Sequence, residues 1–256
     1  MRVATFNAAS VRARLPLLVQ WLEENPVDVL GIQETKVEDD KFPRAEFEAL
    51  GYELALNGQK SWNGVALLSK LPMTDVVKGV GDEDLDIQAR TIAATINGIR
   101  IINTYVPNGN TVGSEKWEFK MRWLEKFKDM VYAHDRSQPL LWMGDINIAP
   151  QPHDVFDSPK LLGGVGHHPD EFSRLSAIVS YGLIDLFRLF NFEGGHYTFW
   201  DFVIPGALDR GMGWRIDHIY TTEELAEKCT SCVIDVEARR REKPSDHTFV
   251  IADFDV

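Results

Sequence analysis

Short apolar runs of strand length recur along the chain and predict more strands than helices. Residues 2–7 and 27–34 are apolar on both faces, which is typical of buried strands. Asn97-Gly98 separates the runs 89–96 and 99–105 and indicates a β-hairpin. Further strands are predicted near residues 52–57, 64–69, 74–79, 140–144, 197–202, 215–221, 232–237 and 247–254.

Three segments instead show helical spacing of apolar residues. The first, around Leu15–Leu22, ends at Asn25-Pro26, and the third runs near Asp170–Tyr181. The longest opens near Ser114 and carries apolar residues at helical spacing, namely Trp117, Met121, Leu124, Phe127 and Val131. Because strands and helices do not alternate regularly, the pattern favours an α/β fold of two packed sheets with helices outside.

Polar side chains follow many of these strands. They are Asn7, Glu34, Tyr105, Asp145, Asn147, Asp217, Asp246 and His247. If the strands lie side by side, these ends converge on one acidic pocket. Its oxygen ligands suit Mg²⁺ or Mn²⁺. A hard divalent cation beside a histidine and a tyrosine is suited to phosphoryl transfer or phosphodiester hydrolysis.

Seven short motifs occur in an order and spacing that resemble the exonuclease III family of abasic-site endonucleases. They are Phe6-Asn7, Gln33–Lys36, Asn63–Leu68, Asn103–Gly109, Gly144–Pro150, Gly213–Asp217 and Lys243–His247. The resemblance covers nearly the whole chain. It implies a four-layer α/β sandwich of the DNase-I-like type, with mostly antiparallel or mixed sheets. It also implies Mg²⁺ dependence, with Mn²⁺ as a substitute, and a role in DNA base-excision repair.

The resemblance also implies roles for the polar residues. Glu34 is the expected main metal ligand, and Asn7 and Asp246 are the other expected metal-site residues. The expected catalytic residues are Tyr105, Asp145, Asn147, Asp217 and His247. Asp145 and Asn147 alternate along the chain, so their side chains share a face. Asp217 is expected to orient His247, whose imidazolium stabilises a phosphorane oxygen.

A second group of residues is expected to contact DNA. Phe199, Trp214 and Ile216 match the apolar wall that receives a baseless deoxyribose in the family, although core packing is the alternative. The remaining predicted contacts are Trp62, Arg12, Arg239, Arg240, Arg241 and Lys243. The formal charge of −12 argues against simple nucleic-acid binding. The clustered basic residues are therefore either a DNA-facing patch or a solvated face.

Composition and chain length predict the domain organisation and the cellular location of the protein. Without a linker or repeat, residues 1–256 are predicted to form a single endonuclease/exonuclease/phosphatase-type domain that acts as a monomer. No apolar run is long enough to cross a membrane. The first strand starts at the N-terminus, so a cytoplasmic location is expected. Cys229 and Cys232 lack a second pair to complete a zinc site and are expected to stay reduced.

The expected substrate is double-stranded DNA with abasic sites or 3′ ends. The expected reaction is hydrolysis of the phosphodiester 5′ to an abasic site, with 3′-end trimming. Two alternatives stay open: a phosphatase or phosphodiesterase acting on inositol phosphates or lipids, and a non-catalytic DNA-binding relative. One departure from the family pattern stands at Ala9, where a polar residue is usual. A methyl group there cannot assist a metal.

Overall fold

The computed structural model describes residues 1–256 and contains two six-stranded sheets packed against each other. The strands are β1 Arg2–Asn7, β2 Val29–Gln33, β3 Glu53–Asn57, β4 Val65–Ser69, β5 Met73–Lys78, β6 Thr91–Ile96, β7 Ile99–Tyr105, β8 Leu140–Asp145, β9 Leu183–Asp185, β10 Asp217–Thr222, β11 Cys229–Asp235 and β12 Phe249–Phe254. The first sheet has the order β11-β12-β1-β2-β4-β3, and the second has the order β5-β6-β7-β8-β10-β9.

Eight helices connect the strands, and the longest of them cover the outer faces of the sheets. They are α1 Val11–Glu24, α2 Arg44–Glu48, α3 Glu83–Asp86, α4 Glu115–Tyr132, α5 Ser158–Leu161, α6 Pro169–Val179, α7 Leu186–Phe190 and α8 Glu223–Ala226. Short 3₁₀ turns lie at Asp39–Lys41, Pro152–Asp154 and Val236–Arg240. The hydroxyl of Ser114 accepts a hydrogen bond from the backbone N–H of Trp117 and caps α4, as its sequence predicts.

Three large apolar clusters correspond to the three interfaces of a four-layer arrangement. The inner faces of the two sheets meet at residues that include Leu67 of β4 and Met143 of β8. The first sheet packs on α1 through Trp21 and Phe249, whose rings stack 3.7 Å apart. The second sheet packs on α4 and α6 through residues including Trp142. The predicted packing of two sheets between helices is confirmed.

Each sheet contains one parallel pair at its centre. These pairs are β1 with β2 and β7 with β8, while the other pairings are antiparallel. Parallel strands place their carboxyl ends at the same edge. Asn7 and Glu34 therefore come together from the first sheet, and Tyr105 and Asp145 come together from the second. The register of β10 sets Asp217 opposite Asp145.

A polar contact fixes one sheet against the other near that edge. The Asn103 side chain donates to the carbonyls of Ile32 and Ala66 and accepts from Gln33 Nε2 at 2.6 Å. Gly31 permits this close approach, because a Cβ there would lie 2.7 Å from Met143 Cε and 3.0 Å from Asn103. The two halves of the polar edge are thereby held in register.

Some predicted boundaries differ from the structure. Residues 197–202 form no strand, because Phe199 makes only isolated bridges to Trp214 and His247. The predicted strand 232–237 begins earlier, at Cys229, and its end becomes a 3₁₀ turn. The short helices α2, α3, α5, α7 and α8 gave no periodic signal because each spans only one turn or slightly more.

The hairpin prediction is confirmed, with left-handed backbone at Asn97 (φ 49°) and Gly98 (φ 76°). Cys229 and Cys232 both lie in β11 as free thiols, with Cys232 buried. None of the helices has the length and apolar character that a membrane span requires.

Candidate active site

At the polar edge of the two sheets, one side-chain amide donates hydrogen bonds to two carboxylates. Asn7 Nδ2 donates to Glu34 Oε1 at 3.0 Å and to Asp145 Oδ2 at 2.9 Å. Asn7 itself is fully buried, and its Oδ1 accepts from the backbone N–H of Ala9. Glu34 follows β2 in a left-handed conformation (φ 50°), which ends the strand at the cleft. The structure therefore brings Asn7, Glu34 and Asp145 together.

The two carboxylates differ in their surroundings. Lys36 Nζ lies 2.8 Å from Glu34 Oε2. Burial alone would raise the pKa of Glu34, but hydrogen bonds from Lys36 and Asn7 hold it below its usual value. Burial raises the pKa of Asp145 to about 7, and Asp217 adds to this against the attraction of His247. Glu34 is ionised at neutral pH, whereas Asp145 is poised to exchange a proton.

A carboxylate–imidazole pair stands beside Asp145. His247 Nδ1 is 2.8 Å from Asp217 Oδ2, and His247 Nε2 is 3.8 Å from Asp145 Oδ2. Burial would lower the pKa of His247, but Asp217 and Asp145 raise it to about 10. The ring is therefore an imidazolium at neutral pH. Its Nε2–H is a donor within the cavity that also contains Glu34 and Asp145.

Asn147 is fixed on both sides. Its Nδ2 donates to the Val106 carbonyl at 2.9 Å, and its Oδ1 accepts from Asn108 Nδ2 at 3.0 Å. Its backbone N–H donates to Asp145 Oδ1 at 3.0 Å. A primary amide has two N–H donors, so one hydrogen of Asn147 stays uncommitted. That group is suited to hold a phosphate oxygen or a nucleophilic water.

Tyr105 lies at the end of β7 under the guanidinium of Arg90, which is 4.6 Å from the ring centre. Burial and the nearby charges of Glu34 and Asp145 raise the pKa of Tyr105 well above its usual value. The phenol is therefore a neutral hydrogen-bond donor. Asp246 also lines the cavity, and its Oδ1 accepts from Ser245 Oγ at 3.2 Å.

The cavity that contains these polar groups also has an apolar wall. Its volume is about 560 Å³, and its lining includes both Glu34, Asp145, Asp246 and His247 and the apolar residues Phe199, Trp214 and Ile216. The Phe199 ring lies 4.9 Å from the His247 ring. Sequence reasoning did not single out the remaining apolar lining, which comprises Phe156, Leu161, Val165, Ile204 and Met212. Nothing in the local sequence distinguishes those residues from core positions.

The predicted DNA-contacting basic residues have diverse surroundings. Arg12 is exposed. Arg240 pairs with Asp209 at 2.8 Å, and Arg241 pairs with Glu24 at 2.6 Å. Arg239 stacks over Phe202 at 4.2 Å and donates to the Trp200 carbonyl.

Lys243, by contrast, is 81% exposed. Trp62 is also exposed and lines a second groove beside the cavity, together with Arg90, Lys116 and Arg122. The DNA contacts of all these residues stay a prediction.

The donor set fits a hard divalent cation. Asp145, Asp217 and His247 offer atoms within 4.8 Å of one another. His247 is cationic, however, so we expect Glu34, whose pKa is held low, to be the main ligand beside this cluster. Asp217 Oδ1 is buried without a hydrogen-bond partner. Clustered buried carboxylates favour a compensating proton or cation, and oxygen donors favour Mg²⁺ or Mn²⁺.

Comparisons with known proteins agree with this chemistry. Residues 4–247 match the Endonuclease/Exonuclease/phosphatase family. Exodeoxyribonuclease III from Haemophilus influenzae is 34% identical, over 99% of this chain and 100% of its own length. An AP endonuclease structure from Archaeoglobus fulgidus is 41% identical with a TM-score of 0.96, covering 100% of both chains. A 3′-5′ exonuclease (NExo) structure from Neisseria meningitidis is 35% identical with a TM-score of 0.96, covering 100% of both chains.

Proposed function

This chain belongs to the Endonuclease/Exonuclease/phosphatase family and is a nuclease of the exodeoxyribonuclease III type, and we propose that it incises double-stranded DNA 5′ to abasic sites with Mg²⁺ as cofactor. The observation that carries this proposal is the apolar wall of Phe199, Trp214 and Ile216 in the same cavity as the Asp145–His247 pair. Such a wall accepts a sugar that has lost its base beside groups suited to phosphodiester hydrolysis.

The chain's own residues suit each part of the reaction. Asp145, with a pKa of about 7, accepts a proton from the attacking water. The His247 imidazolium, oriented by Asp217, donates to the phosphate oxygen that gains charge in the transition state. Asn147 and the neutral phenol of Tyr105 supply further donors.

Glu34 is the residue we expect to hold Mg²⁺, with Asn7 and Asp246 beside it. A bound divalent cation supplies Lewis-acid stabilisation of phosphate charge and of the leaving oxygen. Mn²⁺ has similar oxygen preferences and is expected to substitute. Since one chain contributes every residue of this site, we propose that the protein acts as a monomer.

Trimming of 3′ ends is a second activity of the same site. The Neisseria NExo structures support it, because one is of a 3′-5′ exonuclease and another is of a 3′ phosphatase bound to a product DNA hairpin. We therefore propose that the protein also removes nucleotides or blocking phosphates from 3′ ends.

The test uses three DNA substrates of one sequence: a duplex with a single abasic-site analogue, the intact duplex, and a duplex with a 3′ phosphate. Each is incubated with Mg²⁺ or with chelator, and inositol hexakisphosphate serves as the non-nucleic-acid control. We expect Mg²⁺-dependent incision of the abasic duplex far above that of the intact one, and no phosphate release from the inositol compound. Equal cutting of abasic and intact duplexes would indicate a general nuclease instead.

A further inference from the structure

One buried ammonium group joins the loops that shape the catalytic cavity. Lys120, on the inner face of α4, is fully buried. Its Nζ donates to the Asn147 carbonyl at 2.8 Å, to the Asn108 carbonyl at 3.2 Å and to Glu171 Oε1. An ammonium has three N–H donors, so every donor of Lys120 is used. Two of the three hold backbone carbonyls of cavity-lining residues.

Glu171 extends this link to a third loop. It is the third residue of α6 and is also fully buried. Its Oε1 accepts from the backbone N–H of Gly166 at 3.1 Å, and its Oε2 accepts from the N–H of His168 at 3.1 Å. Gly166 lies against the Trp214 ring, since a Cβ there would be 3.2 Å from Trp214 Cζ3. Glu171 thereby fixes the loop that packs on the apolar wall.

Asn147 is held at both its backbone and its side chain. Its backbone is left-handed (φ 52°), a conformation that Asn adopts more readily than most L residues. The Lys120 contact fixes the carbonyl of that residue, while Asn108, held by the same ammonium, orients the Asn147 side chain. Neither Lys120 nor Glu171 touches Glu34 in the structure's hydrogen bonds or ion pairs, and neither lines the cavity.

We propose that Lys120 and Glu171 form a positioning pair that sets the orientation of Asn147 and of the Gly166–Trp214 wall, and so controls turnover and abasic-site selectivity. The inference rests on the proposed function only through the choice of substrate. A misplacement of about 1 Å in a reacting geometry costs on the order of 10²-fold in rate. Metal affinity should be independent of the pair.

The test variant is the neutral double substitution Lys120→Met/Glu171→Gln, which avoids leaving one buried charge unpaired. The control is Lys128→Met/Glu125→Gln, an exposed Lys–Glu pair on the same helix, 2.6 Å apart. For each folded protein, kcat, KM, half-maximal Mg²⁺ and the abasic-to-intact cutting ratio are measured. We expect the buried double variant to lose about 10- to 100-fold in kcat and to discriminate less. Its half-maximal Mg²⁺ should stay within about twofold of wild type, and the control should match wild type.

A folded buried double variant with wild-type kcat and selectivity would overturn the proposal, and so would a loss explained wholly by weaker Mg²⁺ binding. If that variant does not fold, Glu171→Asp keeps both buried charges and shortens the reach of the carboxylate to the N–H groups of Gly166 and His168. It should lower kcat and selectivity by several-fold, and an unchanged enzyme would refute the pair's role. A wild type that fails to cut the abasic duplex refutes the proposed function instead. In that case the role of the pair is tested by comparing kcat and half-maximal Mg²⁺ of the same variants for removal of 3′ phosphates.

Discussion

Glu34 follows β2 of the first sheet, and Asp145 ends β8 of the second. The two carboxylates line the same cavity, but their pKa values are shifted in opposite directions. Both accept from the one Asn7 amide, so that hydrogen bond does not explain the difference. Asp145 is buried, whereas the Glu34 side chain is 17% exposed. Glu34 also has the Lys36 ammonium at 2.8 Å, which helps to keep its pKa low. Asp145 has no lysine or arginine ion-pair partner, and burial raises its pKa to about 7.

This difference indicates a division of labour between the sheets. A carboxylate that is ionised under all working conditions is suited to hold a cation. A carboxylate that titrates near neutrality is suited to exchange a proton with water. Burial at Asp145 and the Lys36 ammonium at Glu34 therefore assign the two roles. The following experiments test whether the two sides of the cleft are functionally distinct.

The largest effect should come from Glu34→Gln and Asp145→Asn, each lowering abasic-site incision on the order of 10³-fold at ordinary Mg²⁺. The two losses should respond differently to the cation. Raising Mg²⁺ or adding Mn²⁺ should restore part of the Glu34→Gln activity, because the defect is in metal affinity. Saturating metal should leave Asp145→Asn impaired. Identical Mg²⁺ titration curves for the two variants would remove the distinction between the sheets.

His247→Gln should come next, with a loss of about 10²- to 10³-fold in kcat, typical of removing one charge-stabilising donor. His247 precedes β12 of the first sheet, whereas its partner Asp217 begins β10 of the second. Asp217→Asn should therefore reproduce part of this loss by releasing the ring. Single-turnover incision at saturating DNA measures both. Near-normal chemistry in His247→Gln would mean that the imidazolium does not face the reacting phosphate.

A smaller effect is expected on the metal side at Ala9. Its N–H donates to Asn7 Oδ1, and its left-handed backbone (φ 46°) tolerates Asn or Asp. A polar side chain there should add an outer contact to the cation, and such contacts typically change metal affinity or activity by ~10- to 100-fold. We expect Ala9→Asp to lower half-maximal Mg²⁺ by about tenfold. Ala9→Ser, whose neutral hydroxyl reaches less far than a carboxylate, should give a smaller change. An unchanged or weaker Mg²⁺ response would show that position 9 does not face the metal.

A separate prediction concerns stability without metal, and not activity. The folded-state pKa of Asp145 is raised to about 7, above its ordinary value of about 3.9, so the folded protein binds this proton more tightly. That stabilisation is complete below the unfolded-state pKa and is lost as pH rises through about 7. Urea unfolding in chelator should therefore show Asp145→Asn gaining stability relative to wild type between about pH 4 and 7. Parallel pH curves would place the Asp145 pKa at its ordinary value.

Sequence reasoning succeeded wherever the signal was local. The strand-end residues Asn7, Glu34, Tyr105 and Asp145 could be found because a buried strand followed by a polar residue is visible in a few consecutive positions. The predicted strand 197–202 failed because alternation there reflects a loop packed against Trp214 and His247. The Lys120–Glu171 pair also gave no signal, since a lysine on a helix is ordinarily a solvated residue.

The sequence by itself determined the sheet-and-helix plan, the ends of the central strands and the polar residues that follow them. Only the tertiary structure decided which groups became partners. Arg241 pairs with Glu24, 217 positions away, and Lys120 pairs with Glu171, 51 positions away. The reason is physical: strand and helix patterns depend on neighbours within a few residues, whereas charge pairing and pKa depend on distances and burial that exist only after the chain has folded.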